Sequence, residues 1–169
     1  MTKTLTIVRH AKAERPEGFA SDFDRPLTTR GQNDAERIGA ALKRLIPPID
    51  WWVSSPALRT RQTVEGIHAV AGAGQPIQWE PAIYEASAET LLVALSRIPP
   101  EAEHVLIVGH NPGMEELVAG LAAGAPERLN LRMPTAAVAH LQLELFRWDQ
   151  LRWGCGLLEL LFTPKLLKK

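Results

Sequence analysis

Short apolar runs alternate with longer segments of helical periodicity along the 169-residue chain, and this alternation is what most constrains its fold. The runs and alternating segments predict about six strands, at residues 4–8, 50–53, 77–79, 104–108, 136–145 and 157–162. Helical spacing and capping residues predict four helices, over 28–45, from Ser54-Ser55-Pro56, from Ser87 to the Pro99-Pro100 pair, and from Asn111-Pro112. Strands alternating with helices in this way indicate an α/β sheet covered on both faces.

Composition bounds the function classes open to such a domain. Apolar residues make up 46% of the chain, charged residues 22%, and the formal net charge is zero, so no broad nucleic-acid or anionic-membrane surface is expected. No apolar stretch approaches the roughly 20 residues that span a bilayer. Cys155 is the only cysteine, which excludes an intramolecular disulfide and leaves its own role open. We expect one cytoplasmic, monomeric domain over 1–169.

Polar side chains collect where three of the predicted strands end. Arg9 and His10 follow the first strand, Ser54 and Ser55 follow the second, and the segment GHNPG (109–113) follows the fourth. Ligands of open α/β sheets bind in the crevice beyond the carboxyl ends of the strands. The three clusters are therefore expected to form one shared site.

The residue types in these clusters favour a phosphoryl ligand. Arg9 leaves a strand end and Arg59 lies one turn into the second predicted helix, and guanidinium groups match phosphate oxygens in a bidentate way. Helix N-termini at Ser55 and Asn111 would add N–H donors. Of the two histidines, one could be neutral and nucleophilic while the other is protonated and binds oxygen. Arginines could then supply the charge stabilisation that a metal gives elsewhere.

Four motifs in order resemble those of the histidine phosphatase superfamily, which includes phosphoglycerate mutases and acid phosphatases. They are IVRHAKAE, DRPLTTRGQ, SSPALRTRQTVE and VGHNPG, and the resemblance covers residues 4 to about 162. The short length and the ending TPKLLKK are similar to the SixA-type phosphohistidine phosphatases. The resemblance implies a three-layer α/β/α sandwich with a mixed, mostly parallel sheet, as in the phosphoglycerate mutase-like fold.

The resemblance also implies roles for individual residues. His10 corresponds to the phospho-accepting histidine, Arg9 and Arg59 to the phosphate-binding arginines, and His110 to the second histidine, which contacts the phosphoryl group. Glu85 is the nearest candidate for a general acid, although a solvated position at the substrate rim is the alternative. No metal or other cofactor is expected.

Three functions stay open at this point. The first is a metal-independent phosphatase acting on phosphohistidine in a protein such as a phosphotransfer carrier. The second is a small-molecule phosphomonoesterase of the same superfamily, for which Glu85 would have to work as an acid. The third is a non-catalytic phospho-binding module, which the presence of all four core residues disfavours.

The remaining polar residues have simpler interpretations. Ser54 and Ser55 are predicted to cap a helix rather than act as nucleophiles, because no Gly-x-Ser-x-Gly elbow surrounds them. Arg61 is predicted to be a surface residue, and Lys12 and Arg15 to lie near the mouth of the site. Three further histidines have no motif partner and are predicted to be structural, namely His68, His104 and His140.

Overall fold

The structure, a computed structural model, describes residues 2–168, in which one six-stranded sheet is flanked by helices. The strands are β1 (Lys3–Arg9), β2 (Trp51–Ser54), β3 (Ile77–Trp79), β4 (His104–Gly109), β5 (Val138–Leu143) and β6 (Gly156–Phe162). The α-helices are α1 (Thr29–Leu45), α2 (Leu58–Ala71), α3 (Ala88–Ser96) and α4 (Gly113–Ala123). Short 3-10 helices lie at Asp22–Asp24, Pro81–Ile83, Pro126–Arg128, Trp148–Gln150 and Pro164–Leu167. The predicted strands and helices are all present.

The sheet is mixed and mostly parallel, with strand order β3-β2-β4-β1-β5-β6. The strands β3, β2, β4 and β1 run parallel to one another, whereas β5 pairs antiparallel with both β1 and β6. The parallel strands β1, β2 and β4 therefore end at the same edge of the sheet. The predicted α/β fold is confirmed.

Two apolar cores cover the two faces of the sheet. Ile7 and Ile107 pack on one face with residues of α3 and α4, and Val8 and Val108 pack on the other face with residues of α1 and α2. The alternation along each strand produces this division, because successive side chains point to opposite faces. Helices on both sides complete a three-layer sandwich. Since α1 and α4 follow neighbouring strands but lie on opposite faces, a crevice opens between them.

The predicted start of α1 is confirmed by its capping contact. Thr28 precedes the helix in extended conformation, and its hydroxyl accepts a hydrogen bond from the Gly31 amide at 3.0 Å. Gly31 also packs directly on the chain that follows β1, where a Cβ atom would overlap the carbonyl oxygen of Lys12. The amide of Thr28 donates to that same carbonyl at 2.8 Å. These contacts fix the segment after His10 against the first turn of α1.

The predicted caps of α2 and α4 are wrong. The chain stays extended through Ala57, so α2 begins at Leu58 and neither Ser54 nor Ser55 caps it. In α4 the residue before the first helical position is Pro112, with helical backbone angles, so Asn111 lies one residue too early to act as the cap. Both helices begin later because the preceding polar side chains have tertiary partners instead.

The described part of the chain has two further general properties. No helix within residues 2–168 is both long and apolar enough to cross a bilayer. Cys155 is buried, with 2% of its surface exposed, in the core on the α3 and α4 face.

Candidate active site

The three polar clusters meet at the shared edge of β1, β2 and β4. The amide of His10 donates to the Gly109 carbonyl at 3.0 Å, and the amide of Ser55 donates to the Val108 carbonyl at 3.2 Å. These hydrogen bonds hold the chain side by side just after β1, β2 and β4 end. A cavity of about 280 Å³ opens there, lined by Arg9, His10, Lys12, Ala13, Arg25, Arg59, Glu85, His110, Asn111 and Thr135. All five predicted site residues are in this lining.

The His10 ring is held in one tautomer by a backbone carbonyl. Its Nδ1 atom lies 2.8 Å from the Ala11 carbonyl oxygen, which can only accept, so Nδ1 carries the proton and donates it. The opposite ring nitrogen, Nε2, therefore keeps its lone pair. Burial, and then the charges of Arg59 and Arg9, lower the pKa of His10 to about 4, against the hydrogen bond to Ala11. His10 is neutral at pH 7, as a nucleophile must be.

Two guanidinium groups present donors to the same cavity. The Nε atoms of Arg9 and Arg59 are buried and have no hydrogen-bond partner among residues 2–168. Burial lowers the pKa of Arg9 from its usual value. Unpaired buried donors are rare, because each loses its hydration without compensation. Both arginines line the same cavity, and two guanidinium groups in one cavity fit an anionic ligand.

His110 contacts Arg59 of α2 through one ring nitrogen and Ser55, just after β2, through the other. Its Nδ1 atom lies 3.2 Å from Nη2 of Arg59, and because a guanidinium only donates, Nδ1 accepts. Its Nε2 atom therefore carries the proton and donates to the Ser55 hydroxyl at 2.9 Å. Burial, followed by the charges of Arg59 and His10, lowers the pKa of His110 to about 3.

The expectation of one neutral and one protonated histidine is wrong for the unliganded site. The rings of His10 and His110 lie 5.5 Å apart, and both are buried beside guanidinium groups. Low hydration and like charge both oppose a cation on either ring. Both imidazoles are therefore neutral at pH 7 before a phosphoryl group enters.

Sequence reasoning missed Asp22, which contacts Arg59 more closely than any other carboxylate in the described chain. Asp22 Oδ2 accepts from Arg59 Nη2 at 2.9 Å and from the Tyr84 hydroxyl at 2.9 Å, and its backbone oxygen accepts from Arg59 Nη1 at 2.7 Å. Its Oδ1 atom accepts from Arg25 at 2.9 Å. Desolvation opposes ionisation, but the hydrogen bond from Tyr84 and the charge of Arg59 outweigh it and lower the pKa of Asp22 to about 2.

No sequence pattern predicted Asp22 as a site residue, because the segment between β1 and α1 has neither strand nor α-helix periodicity. The only signal was the dense charge of SDFDR, whose last two residues begin the DRPLTTRGQ motif. The adjacent Arg25 was missed as well, although it lines the cavity. Of the two residues predicted near the mouth, Lys12 lines the cavity and Arg15 is not part of its lining.

Glu85 lies at the rim of the cavity. Its side chain is 61% exposed, and its carboxylate lies 3.9 Å from Nη2 of Arg59. Its φ angle is +48°, a left-handed conformation that a residue with a side chain seldom adopts. Ala136, whose amide donates to the His10 carbonyl at 3.0 Å, also has a positive φ, of +60°. Backbone strain of this kind concentrates at functional sites.

Other predicted residues lie outside the cavity. Arg61 is exposed and stacks over the Trp79 ring at 5.1 Å, in agreement with the predicted surface position. His68 contacts the carbonyl of Gln75. His104 and His140 contact the hydroxyl of Thr6 within the sheet, which is a structural role.

The sequence of this chain is similar to a known protein family and to a mycobacterial protein. The family model of the histidine phosphatase superfamily (branch 1) matches residues 5–91, half of the chain. The chain belongs to the histidine phosphatase superfamily. An uncharacterized protein of Mycobacterium tuberculosis strain H37Rv is 31% identical over 164 residues, which cover 94% of this chain and all of that protein.

Among solved structures of the superfamily, two SixA proteins are similar to this chain in sequence and in fold. SixA from Nakamurella multipartitia is 28% identical with a TM-score of 0.83, and the match covers 97% of both chains. The protein histidine phosphatase SixA in complex with tungstate is 27% identical with a TM-score of 0.82, covering 98% of this chain and 99% of that one. The chain resembles the SixA-type branch over 97 to 98% of its length, and these matches support a phosphatase enzyme.

Proposed function

We propose that the protein is a phosphohistidine phosphatase in which His10 accepts the phosphoryl group from a phosphohistidine of another protein. The observation that carries this proposal is a buried, neutral His10 whose Nε2 atom keeps its lone pair, in a cavity that Arg9 and Arg59 also line. A nucleophile and two anion-binding donors thus line one cavity.

The reaction proceeds in two displacements. His10 Nε2 attacks phosphorus, the P–N bond of the substrate breaks, and its electron pair stays on the departing imidazole, which is neutral when its other nitrogen carries a proton. Water then attacks the phosphoryl group on His10, the new P–N bond breaks, and the electron pair returns to Nε2. The proton of the attacking water leaves with inorganic phosphate or solvent.

Arg9, Arg59 and His110 stabilise the charge of the transferring group. Each guanidinium group donates to a phosphoryl oxygen, and loss of one such donor costs about 3 kcal/mol of barrier. The negative charge of the phosphoryl group favours protonation of His110, which opposes the effect of Arg59 on its pKa. His110 then becomes a third cationic donor only when substrate is bound.

The carboxylates around the cavity favour phosphohistidine over a phosphate ester. An ester needs an acid to protonate its leaving oxygen, whereas imidazole leaves readily once solvent has protonated it. Asp22 has a pKa of about 2 and is ionised at neutral pH. Glu85 lies at the rim with 61% of its side chain exposed, which fits a solvated position better than that of an enclosed acid. The similarity to a structure named as a protein histidine phosphatase supports the same substrate.

A small-molecule phosphomonoesterase is the second candidate. One observation favours it, namely that Glu85 lines the same cavity as His10 and is held toward Arg59 by a strained backbone. If Glu85 delivers a proton, aryl and alkyl phosphates become substrates.

The two functions are separated by one parallel assay. The purified protein is mixed with a phosphohistidine-carrying phosphotransfer protein and, separately, with para-nitrophenyl phosphate, both in excess chelator. We expect rapid phosphate release from phosphohistidine alone, loss of that release in His10→Ala, and little change in Glu85→Gln. Fast ester hydrolysis that Glu85→Gln abolishes would favour the phosphomonoesterase. Release that persists in His10→Ala would contradict both.

Several accompanying expectations stay predictions. They are a single domain over residues 1–169, a monomeric state, a cytoplasmic location, and independence from metals and other cofactors. The chelator in the assay tests the last of these directly.

A further inference from the structure

The backbone of Met133 contacts two residues of the cavity lining and one residue of α4. Its carbonyl oxygen accepts a hydrogen bond from Arg9 Nη1 at 3.0 Å and another from Asn111 Nδ2 at 2.9 Å. Its amide donates to Glu115 Oε1 at 2.7 Å. Met133 itself is fully buried, so its backbone forms a fixed support for the Arg9 guanidinium.

Glu115 holds this support from the first turn of α4. The same Oε1 atom that accepts from the Met133 amide also accepts from Asn111 Nδ2 at 2.9 Å. Because Nδ2 faces two acceptors, the orientation of the Asn111 amide is fixed by its partners. One carboxylate oxygen therefore ties together the helix start, the segment after β4 and the segment before β5.

The charge of Glu115 also acts on Arg9. Burial of the guanidinium disfavours its cationic form, and the carboxylate of Glu115 raises the pKa of Arg9 against that effect. Arg9 uses Nη1 on Met133, and its Nε atom has no hydrogen-bond partner among residues 2–168. Any shift of the Met133 backbone would move the Arg9 guanidinium with it.

We propose that Glu115 is a positioning residue, which fixes the backbone of Met133 and the side chain of Asn111 so that the Arg9 guanidinium is held in place for the phosphoryl group. This inference rests on the proposed role of Arg9 as a phosphoryl ligand. It adds a carboxylate outside the cavity lining to the machinery of the reaction.

Three substitutions at this position separate geometry from charge. Glu115→Gln keeps an oxygen acceptor at the same reach, so we expect kcat/KM within about threefold of the wild type. Glu115→Asp keeps the charge but is one methylene too short, and Glu115→Ala removes the acceptor, so both are expected to lose about 10- to 100-fold. Glu116→Ala, at the next and exposed position of the same helix turn, is the matched control and is expected to have no effect.

A double-mutant cycle tests whether Glu115 acts through Arg9. The dissociation constant of inorganic phosphate and kcat/KM for the phosphohistidine protein are measured for Arg9→Ala, Glu115→Ala and the double variant, with thermal unfolding as a check on folding. We expect the double variant to be no weaker than Arg9→Ala, because the second substitution removes only support for a group already absent. If Glu115→Ala does not fold, the cycle is run with Glu115→Asp.

The outcomes separate this inference from the proposed function. If the losses of kcat/KM in Arg9→Ala and Glu115→Ala add up in the double variant, the positioning role is overturned and the proposed function stands. The same holds if Glu115→Asp has the kcat/KM of the wild type. An Arg9→Ala variant with unchanged phosphate binding and turnover would overturn the role of Arg9, and the inference with it.

Discussion

At the scale of single residues, the protonation of His10 is decided by one backbone carbonyl and two arginines. The Ala11 carbonyl accepts a hydrogen bond from Nδ1–H, and burial beside Arg59 and Arg9 keeps a second proton off the ring. The nucleophile is therefore prepared before substrate arrives, and no base has to remove a proton from it. This arrangement differs from a serine nucleophile, which needs a neighbouring base for activation.

The lowered pKa of His10 predicts an unusual titration. A histidine with an unperturbed pKa near 6.5 is almost entirely protonated at pH 5, whereas a pKa of about 4 leaves His10 about nine-tenths neutral there. We expect an NMR titration of the His10 ring between pH 8 and 3.5 to have its midpoint near 4, with His10→Asn used to assign the signal. A midpoint at or above 6 would contradict the burial and charge argument.

Asp22 is predicted to orient Arg59 for its role in the site. Loss of its carboxylate in Asp22→Ala frees the Nη2 atom and the Tyr84 hydroxyl, so we expect kcat/KM to fall about 10- to 100-fold. Steady-state kinetics with the phosphohistidine protein measures this change. Asp24→Ala is the control, because the Asp24 carboxylate is exposed and accepts from Ser21 instead. Equal activity of the two variants would contradict the prediction.

At the scale of secondary-structure elements, one hydroxyl connects three strands inside the sheet. Thr6 of β1 lies with its hydroxyl 2.9 Å from His104 Nε2 of β4 and 2.9 Å from His140 Nδ1 of β5. A hydroxyl can donate once and accept twice, so it can pair with one nitrogen of each ring at the same time. This buried polar triad joins the parallel and antiparallel parts of the sheet.

Thr6→Val is predicted to destabilise the fold without touching the site. The change preserves shape but leaves two buried ring nitrogens without their partner, so we expect a loss of about 1 to 3 kcal/mol in the free energy of unfolding. Urea denaturation measures it. Thr4→Val, a partly exposed position two residues earlier on β1, is the control and should change stability by less. Equal losses would show that the triad contributes nothing specific.

At the scale of the whole molecule, four buried histidines couple stability to pH. Burial is the main cause that lowers the pKa of each, to about 4 for His10 and His104, to about 3 for His110, and to below its usual value for His140. In the unfolded chain the same rings titrate near 6.5. Between pH 6.5 and 4 the unfolded chain therefore binds more protons than the folded one.

The predicted result is that stability falls as pH falls through this window. For each unit by which the pH falls, the protonation of one of these histidines in the unfolded chain lowers the free energy of unfolding by at most about 1.4 kcal/mol. Urea denaturation at pH 7.5, 6 and 5 measures the trend. Added inorganic phosphate should stabilise the protein by binding only the folded form. A flat profile from pH 7.5 to 5 would contradict the prediction.

The sequence by itself determined the elements and their arrangement in layers. Period-2 and helical spacings predicted all strands and helices. Within β2, the adjacent Trp51 and Trp52 contact different cores, as successive residues of a strand do. These properties follow from local periodicity. Side chains alternate between the two faces of a strand and recur every three to four residues on one face of a helix, regardless of the packing partner. The strand-end clusters at His10, Ser55 and His110 were predictable for the same reason.

Only the tertiary structure decided how the site residues are charged and held. Ser55 and Asn111 were predicted to cap helices, yet they contact His110 and Glu115, partners that are distant in sequence or unmarked by any local pattern. Asp22 came from an irregular segment with no periodicity to place it beside Arg59. The pKa values of the histidines depend on burial and on charges brought together by folding, and a linear sequence does not contain those distances.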